Sequence, residues 1–158
     1  MKTTVFKEQL NVLGNRITVL AGADAATGFA IMTEEVPPLG GPPPHSHPDE
    51  EIFYVLEGNF EFVLHDVKHP FTALPGSLVH VPSEALHTYK NTGNTKGKLL
   101  VTLLPGNLLD YFRAIGESLP IGTSMDLSSP PDVNAIDFGK VFEEAPKHGI
   151  HFYFPETI

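Results

Sequence analysis

Glycine and proline interrupt this chain at short intervals and restrict the length of its elements. The 158 residues include 14 Gly and 15 Pro, which fall between short apolar runs. Such punctuation favours many short strands joined by turns over long helices. Hydrophobic residues make up 41% of the chain and charged residues 18%, which argues against disorder and against a coiled coil. The length suits a single domain, 1–158, with its own buried core.

Runs rich in β-branched and aromatic residues lie between these interruptions. The predicted strands are Arg16–Ala21, Gly28–Val36, Glu50–Glu57, Phe60–His65, Ser77–Val81, Leu86–Lys90 and Lys98–Leu104. Gly58-Asn59 has the composition of a hairpin turn between the third and fourth of them. Short strands at spacings of roughly 8–12 residues are typical of an all-β sandwich or barrel.

The character of the sequence changes after Pro105. Four apolar residues then recur at helical spacing: Leu108, Leu109, Phe112 and Ile115. Gly116 can end that helix. We predict a loop over the Gly/Ser/Pro-rich residues 117–131 and a second helix over Val133–Ala145. The ending His151–Phe154 is apolar, and we expect it to pack on the barrel or on a second subunit.

Charge and cysteine content exclude several classes of function. The chain has 10 basic and 19 acidic residues, a formal charge of −9 and no basic cluster, so neither nucleic acid nor a membrane is expected as a partner. With no cysteine there can be no disulfide, thiolate nucleophile, Cys-type zinc site or iron–sulfur cluster. No signal-peptide core and no apolar stretch of about 18 residues is found, which predicts a soluble, cytoplasmic protein.

Three residues of one short stretch suit a metal ion. His45 and His47 are two apart, so in an extended segment their side chains leave the same face, and Glu51 has the same parity. Two imidazoles and a carboxylate suit Fe, Mn, Co, Ni, Cu or Zn. The same residues could instead form a solvated loop followed by an acidic run, because His-x-His is common. We expect the histidines elsewhere to lie on the surface or to be hydrogen-bonded: His65, His69, His148 and His151.

The pattern continues further along the chain. Two segments carry it: His45-x-His47-x3-Glu51-x6-Gly58 and Gly76-x5-Pro82-x4-His87-x3-Asn91. They resemble the two signature motifs of the cupin superfamily, and the resemblance is strong over about residues 38–105. Two positions depart from the motifs. The leading glycine, Gly40, is one residue out of register, and Glu84 stands where the second motif usually has glycine.

This resemblance implies a double-stranded β-helix, or jelly-roll, barrel of roughly six to eight strands. Its helical C-terminal appendage would cover about 106–158. The resemblance carries a ligand role for one divalent transition metal onto four residues: His45, His47, Glu51 and His87. If the ion is octahedral, about two positions stay open for water, substrate or dioxygen. Four residues could line the cavity or belong to the core: Phe53, Val55, Phe60 and Phe62.

Three functions fit such a site. Single-domain cupins of this length look like the quercetin-dioxygenase-like cupins, which implies a dioxygenase acting on an enol, phenolic or flavonol-like small molecule, with Glu51 as ligand and proton acceptor. A metal-dependent isomerase or cyclase would need another acid or base in the cavity, for which His80 and Tyr89 are candidates. His80 could face the cavity or the solvent. The third possibility is a non-catalytic module that binds a small ligand.

Association into a homodimer is also expected, because open barrel edges are commonly covered by a partner. The segments predicted to take part are Thr3–Leu10 and His151–Phe154. The alternative is that both segments cap their own barrel.

Overall fold

Two antiparallel β-sheets dominate the computed structural model, which describes residues 8–22 and 27–154. The elements of this part of the chain are β1 Glu8–Val12, β2 Asn15–Ala21, β3 Ala30–Val36, β4 His45–Ser46, β5 Glu50–Glu57, β6 Phe60–Leu64, β7 Phe71–Ala73, β8 Leu78–Val81, β9 His87–Asn91, β10 Gly97–Leu104, α1 Leu108–Ile115, β11 Glu117–Leu119, α2 Phe138–Glu144 and β12 His151–Phe152.

The sheets enclose one apolar core. The larger sheet has the order β11-β1-β2-β3-β10-β5-β8, and the smaller sheet has the order β12-β4-β9-β6-β7. Side chains alternate between buried and partly exposed along β3 and along most of β10, as expected for strands with one face on a core. Phe53 of the larger sheet meets Phe62 of the smaller one with ring centroids 5.2 Å apart. The all-β jelly-roll prediction is confirmed.

The predicted hairpin at Gly58-Asn59 is wrong. β5 pairs with β10 and β8, whereas β6 pairs with β9 and β7, so the two strands belong to different sheets. The dipeptide does turn the chain, and Gly58 has a φ of 88°, which glycine adopts without steric cost. At this turn the chain passes from one sheet to the other, and both strands bury aromatic side chains between the sheets.

The C-terminal part differs in two places from its prediction. The first helix is confirmed, since α1 ends at Gly116, whose N–H donates to the carbonyl of Phe112. Residues 117–119 were expected in a loop but form β11, which pairs with β1. This strand extends the sheet beyond β1. Its backbone groups form hydrogen bonds with β1, and the composition of the segment does not predict that pairing.

The predicted helix Val133–Ala145 is broken. Val133–Ala135 form a single 3₁₀ turn, and α2 begins only at Phe138. The Asp137 carboxylate accepts a hydrogen bond from the backbone N–H of Lys140, so this residue caps a new helix instead of continuing an old one. No helix in the described ranges is long and apolar enough to cross a membrane.

The described parts of both segments predicted to take part in association belong to the barrel itself. Residues 3–7 lie outside the described residues, and Glu8–Leu10 belongs to β1. At the other end, His151 and Phe152 pair with β4, and the N–H of Tyr153 donates to the carbonyl of Pro44. The apolar ending therefore packs on its own barrel beside His45, as one of the two expected arrangements.

Asp49 ties α1 to the loop that carries the candidate ligands. The helix begins after Asn107, whose side chain makes no capping hydrogen bond. One carboxylate oxygen of Asp49 accepts from the backbone N–H of Gly106 at 3.1 Å and from that of Leu108 at 2.9 Å. Asp49 is 2% exposed, so a buried charge satisfies two backbone donors at the start of the helix.

Replacing this carboxylate should destabilise the protein. We expect Asp49→Ala to lower the free energy of unfolding of the metal-depleted protein by about 2–4 kcal/mol, because two buried N–H groups lose a charged acceptor. Urea unfolding followed by circular dichroism measures the change. Asp126→Ala, at an exposed position, is the matched control, and equal stabilities of the two variants would contradict this role for Asp49.

Candidate metal centre

Three imidazoles converge inside the barrel. His45 and His87 are directly paired between β4 and β9, with ring centroids 4.3 Å apart, and His47 follows β4 in the chain. One ring nitrogen from each histidine lies within 4.8 Å of those of the other two. All three side chains are buried, with exposures of 9% for His45 and 1% for His47 and His87. The register of two neighbouring strands thus brings together residues that are about forty positions apart.

Backbone carbonyls orient each imidazole. A carbonyl oxygen can only accept, so each Nδ1 that faces one carries the proton and donates it. The three pairs are His45 with Pro43 at 2.8 Å, His47 with Asp49 at 2.9 Å and His87 with Ala85 at 2.9 Å. The Nε2 atoms are then unprotonated in the neutral rings, which is the form that binds a metal.

Glu51 completes the cluster from the start of β5. Its Oε2 lies 3.0 Å from Nε2 of His47 and 3.3 Å from Nε2 of His87. A carboxylate and two unprotonated nitrogens face one another with lone pairs, an arrangement that a proton or a metal cation must stabilise. Two ligands at right angles with bonds of about 2.1 Å are about 3 Å apart, so these separations fit a shared metal ion. The structure brings together all four predicted ligands, and their assignment as ligands remains a prediction.

Electrostatics within the cluster favour positive charge beside the carboxylate. Burial disfavours ionisation of Glu51, but hydrogen bonds and charge from His47 and His87 outweigh it and hold the pKa of Glu51 well below its usual range. Burial likewise disfavours the charged form of His47, yet Glu51 raises the pKa of His47. Burial, reinforced by His87 and His47, lowers the pKa of His45 to about 3. His45 is therefore a neutral donor across the physiological range.

A cavity of about 50 Å³ adjoins these residues. Its wall includes His45, Glu51 and His87 together with Phe53, which was one of the predicted wall residues. The other three residues that were predicted to line the cavity or to belong to the core lie in the apolar core: Val55, Phe60 and Phe62. Residues other than the predicted ligands and wall residues complete the wall: Val12, Leu13, Asn15, Ile17, Glu34, Pro42, Tyr89, Leu108 and Phe112.

Glu34 is the functional candidate that sequence reasoning missed. It lies on the buried face of β3 with 3% exposure, and the hydroxyl of Tyr89 donates a hydrogen bond to its Oε2. Burial and the nearby charge of Glu51 raise the pKa of Glu34 to about 8, although the Tyr89 hydrogen bond opposes the shift. The available signal was a glutamate at an inward position between Met32 and Val36 of a strand.

Asn15 adds an unsatisfied acceptor to the same cavity. Its Nδ2 donates to the Tyr89 hydroxyl at 3.2 Å. The buried Oδ1 of Asn15 has no hydrogen-bond partner among the described residues. A buried oxygen without a donor is costly, so a ligand that offers an O–H or N–H would stabilise this wall.

His80 does not reach the cavity, and its candidacy as an acid or base there was wrong. It lies on the outer face of β8, where its Nε2 is 2.5 Å from Oε2 of Glu50, and both side chains are nearly half exposed. His80 is paired with Ile52, so its side chain leaves the sheet on the face opposite that of Phe53. Tyr89, the other candidate, does line the cavity. His65, His69 and His151 are exposed, and His148 is partly exposed, as expected of residues with no part in the site.

Two antiparallel sheets around three converging imidazoles define the class of protein, a β-barrel with an internal candidate metal centre. Residues 32–103 match the family model described as "Cupin domain", a range that contains all four predicted ligands. This match identifies a cupin domain within the chain, and the jelly-roll fold agrees with it.

Solved cupin structures share the fold. An RmlC-like cupin from Shewanella frigidimarina is 18% identical, with 67% of this chain and 89% of that chain covered and a TM-score of 0.55. KdgF from Halomonas sp. is 17% identical, with 66% and 90% covered and a TM-score of 0.55. The curated protein SchB from Streptomyces halstedii is 40% identical over 62 residues, which are 39% of this chain. The match spans 44% of SchB, less than half of its length.

Loss of one imidazole should abolish tight metal binding. We expect His87→Ala to weaken divalent-metal binding at least about tenfold, because one of a small number of donors is removed from a fixed set. Elemental analysis after dialysis against limiting metal gives the bound metal per chain. His80→Ala removes a histidine outside the cavity and should leave the metal content unchanged, and equal metal content in the two variants would disprove the site.

The raised pKa of Glu34 predicts a pH-dependent stability. Between its ordinary pKa of 4.5 and the folded pKa of about 8, the unfolded chain releases a proton that the folded protein retains. In metal-depleted protein, stability relative to Glu34→Gln should therefore fall as pH rises, by up to about 1.4 kcal/mol per pH unit, and level off above about pH 8. Urea unfolding at several pH values tests this, and parallel curves for the two proteins would refute it.

Proposed function

We propose that this protein is a metal-dependent enzyme that moves protons on a small enol, phenol or α-hydroxyketone, with Glu34 as the proton-handling group. The single observation that carries the proposal is the Glu34–Tyr89 pair in the wall of the candidate metal cavity. A metal-assisted isomerase or cyclase needs such an acid or base besides the ligands.

The environment of Glu34 suits proton transfer near neutral pH. In the metal-free protein its raised pKa leaves both the neutral and the ionised form accessible in that range, and burial, the largest cause of the shift, persists when a cation binds beside Glu51. The ionised carboxylate can take a proton from the carbon beside a carbonyl and leave an enolate. The neutral carboxylic acid can return a proton to the same carbon or to its neighbour. The two steps together change no oxidation state.

Tyr89 supports Glu34 and does not replace it. Burial and the adjacent Glu34 raise the pKa of Tyr89 well above its ordinary value, so the phenol stays neutral and donates its hydrogen bond. Asn15, which also lines the cavity, donates to the same hydroxyl and has an unpartnered Oδ1. That oxygen would accept a hydrogen bond from a hydroxyl of the substrate and would help to hold the substrate beside Glu34.

Glu51 is poorly suited to the base role predicted from sequence. Two histidines lower its pKa, so the carboxylate holds a proton weakly. Its placement fits a ligand role beside His47 and His87. When bound there, a divalent transition metal supplies positive charge to a substrate oxygen and, if redox-active, electrons to dioxygen. Glu51 would therefore hold the cation, and Glu34 would move the proton.

A dioxygenase is the second candidate. The observation in its favour is the size and apolarity of the cavity, about 50 Å³ with Val12, Ile17, Phe53 and Leu108 in its wall. One water molecule takes up about 30 Å³ in the liquid, so the space suits a diatomic molecule beside a substrate held further out. The enol, phenol or flavonol class of substrate is the same in both candidates.

Hydrogen exchange separates the two candidates. The protein is loaded in turn with Zn(II), Mn(II) and Fe(II) and incubated without oxygen in D₂O with hydroxyacetone or α-hydroxyacetophenone. Proton NMR then follows exchange at the carbon beside the carbonyl. We expect exchange at least about 100-fold above the metal-free background, and its loss in Glu34→Gln with unchanged metal content. Glu35→Gln, the next residue of β3 on the opposite face, should exchange as the wild type does.

The other outcomes overturn the proposal in distinct ways. Oxygen consumption with 3-hydroxyflavone, without anaerobic exchange, would favour the dioxygenase. Tight binding of these compounds with neither exchange nor oxygen consumption would favour a module that only binds a ligand. Normal exchange in Glu34→Gln would remove Glu34 from the reaction.

A further inference from the structure

An apolar groove lies on the other side of the wall of the metal cavity. It has a volume of about 440 Å³ and runs between the proline-rich stretch after β3 and the segment around 130–138. Leu13, Pro42, Pro131, Val133, Ile136 and Phe138 are among the residues that line it. Every described residue in its wall is apolar or glycine. We call this surface the proline-lined groove.

Leu13 and Pro42 belong to both spaces. Each lines the cavity of about 50 Å³ beside His45 and Glu51, and each also lines the proline-lined groove. A molecule in the groove is therefore separated from the candidate metal centre by these two side chains. The cavity is much smaller than the groove, so we expect a ring system to lie in the groove and the chelating end of the substrate, with its reacting carbon, to extend past Leu13.

The backbone of Leu13 is unusual for this residue type. Leu13 and Gly14 connect β1 and β2 in a two-residue hairpin, with φ values of 55° and 87° and with Val12 paired to Asn15. Such turns favour Asn-Gly, because asparagine tolerates positive φ better than leucine does. Leu13 therefore lies where the metal cavity meets the proline-lined groove although leucine disfavours positive φ, which indicates a role for its side chain.

We propose that the proline-lined groove binds the uncharged aromatic body of the substrate, and that Leu13 is the gate and specificity determinant between it and the metal cavity. This inference rests on the proposed function for the polar head of the ligand. The groove offers flat proline and aromatic surfaces without a charge, which suits a planar apolar ring system. Its volume lies within the usual range for small-molecule sites.

The groove is built from segments that flank the matched cupin domain. Leu13 precedes residues 32–103, and Val133, Ile136 and Phe138 follow them. Only the proline-rich stretch belongs to the matched range. The specificity inferred for this protein is therefore a property of its own hairpin and C-terminal segment.

A pair of probes with one head group tests the groove. Maltol and 3-hydroxyflavone share a chelating hydroxyketone, and the second adds an aromatic body. Their dissociation constants are measured on Co(II)-loaded protein from changes in visible absorption and fluorescence. We expect Val133→Asp, at a 62% exposed position, to weaken 3-hydroxyflavone at least about tenfold and to leave maltol within about twofold, because a charge then borders the aromatic body. Leu78→Asp, at a 63% exposed position on β8, should change neither constant.

Two substitutions of Leu13 test the gate. Leu13→Gly suits the positive φ and removes the side chain, so maltol should associate with the Co(II) protein faster by at least about fivefold. Leu13→Asn suits the turn and keeps a side chain of similar length but makes it polar. It should weaken 3-hydroxyflavone relative to maltol while the protein remains folded. An unchanged association rate in Leu13→Gly would disprove the gate.

Unsubstituted flavone, which lacks the chelating hydroxyl, separates this inference from the proposed function. It should bind to metal-depleted wild-type protein and lose affinity in Val133→Asp. If flavone binds in this way but the loaded protein moves no protons, the groove is upheld and the proposed function fails. If Val133→Asp binds both flavone and 3-hydroxyflavone as tightly as the wild type does, the groove is overturned.

Discussion

The candidate metal centre depends on four buried side chains that each offer a lone pair: His45, His47, Glu51 and His87. Three backbone carbonyls hold the Nδ1 protons of His45, His47 and His87. The Nε2 atoms of His47 and His87 therefore face Oε2 of Glu51, where a proton or a metal cation must lie between them. Like partial charges at this distance are tolerated inside a protein only where a cation can compensate them. The barrel supplies the rigidity that maintains the arrangement, because β4 and β9 are paired strands.

The segments outside the matched cupin domain determine what can approach this centre. The β1–β2 hairpin contributes Leu13 and Asn15, while α1 contributes Leu108 and Phe112 to the cavity wall. Asp49 joins α1 to the ligand loop through two backbone hydrogen bonds. Asp49 lies between the candidate ligands His47 and Glu51, so the same loop contacts the start of the helix and carries part of the site. This division is consistent with one fold hosting many chemistries through its flanking parts.

Local patterns predicted elements better than they predicted partners. The dipeptide Gly58-Asn59 was correctly expected to turn the chain, but the strands it joins belong to different sheets. The second helix was expected as one piece because apolar spacing ignores Asp137, which caps a new start. His80 looked equivalent to a cavity residue until the pairing of β8 with β5 placed it outside. The errors at Gly58-Asn59 and at His80 concern choices that depend on residues distant in the chain, whereas the break at Asp137 is a local cap.

The sequence by itself determined the all-β class and the two motifs, because strand patterning and motif spacing are properties of short stretches. The resemblance of those motifs to the cupin signatures supplied the four candidate ligands. Only the tertiary structure decided that Glu34 and Tyr89 share a cavity with them, since 55 residues separate the pair and cross-sheet packing brings them together. The same holds for Leu13, whose importance comes from lying between two spaces. Burial and proximity are collective properties, and they turn an ordinary glutamate and leucine into candidates for acid and gate.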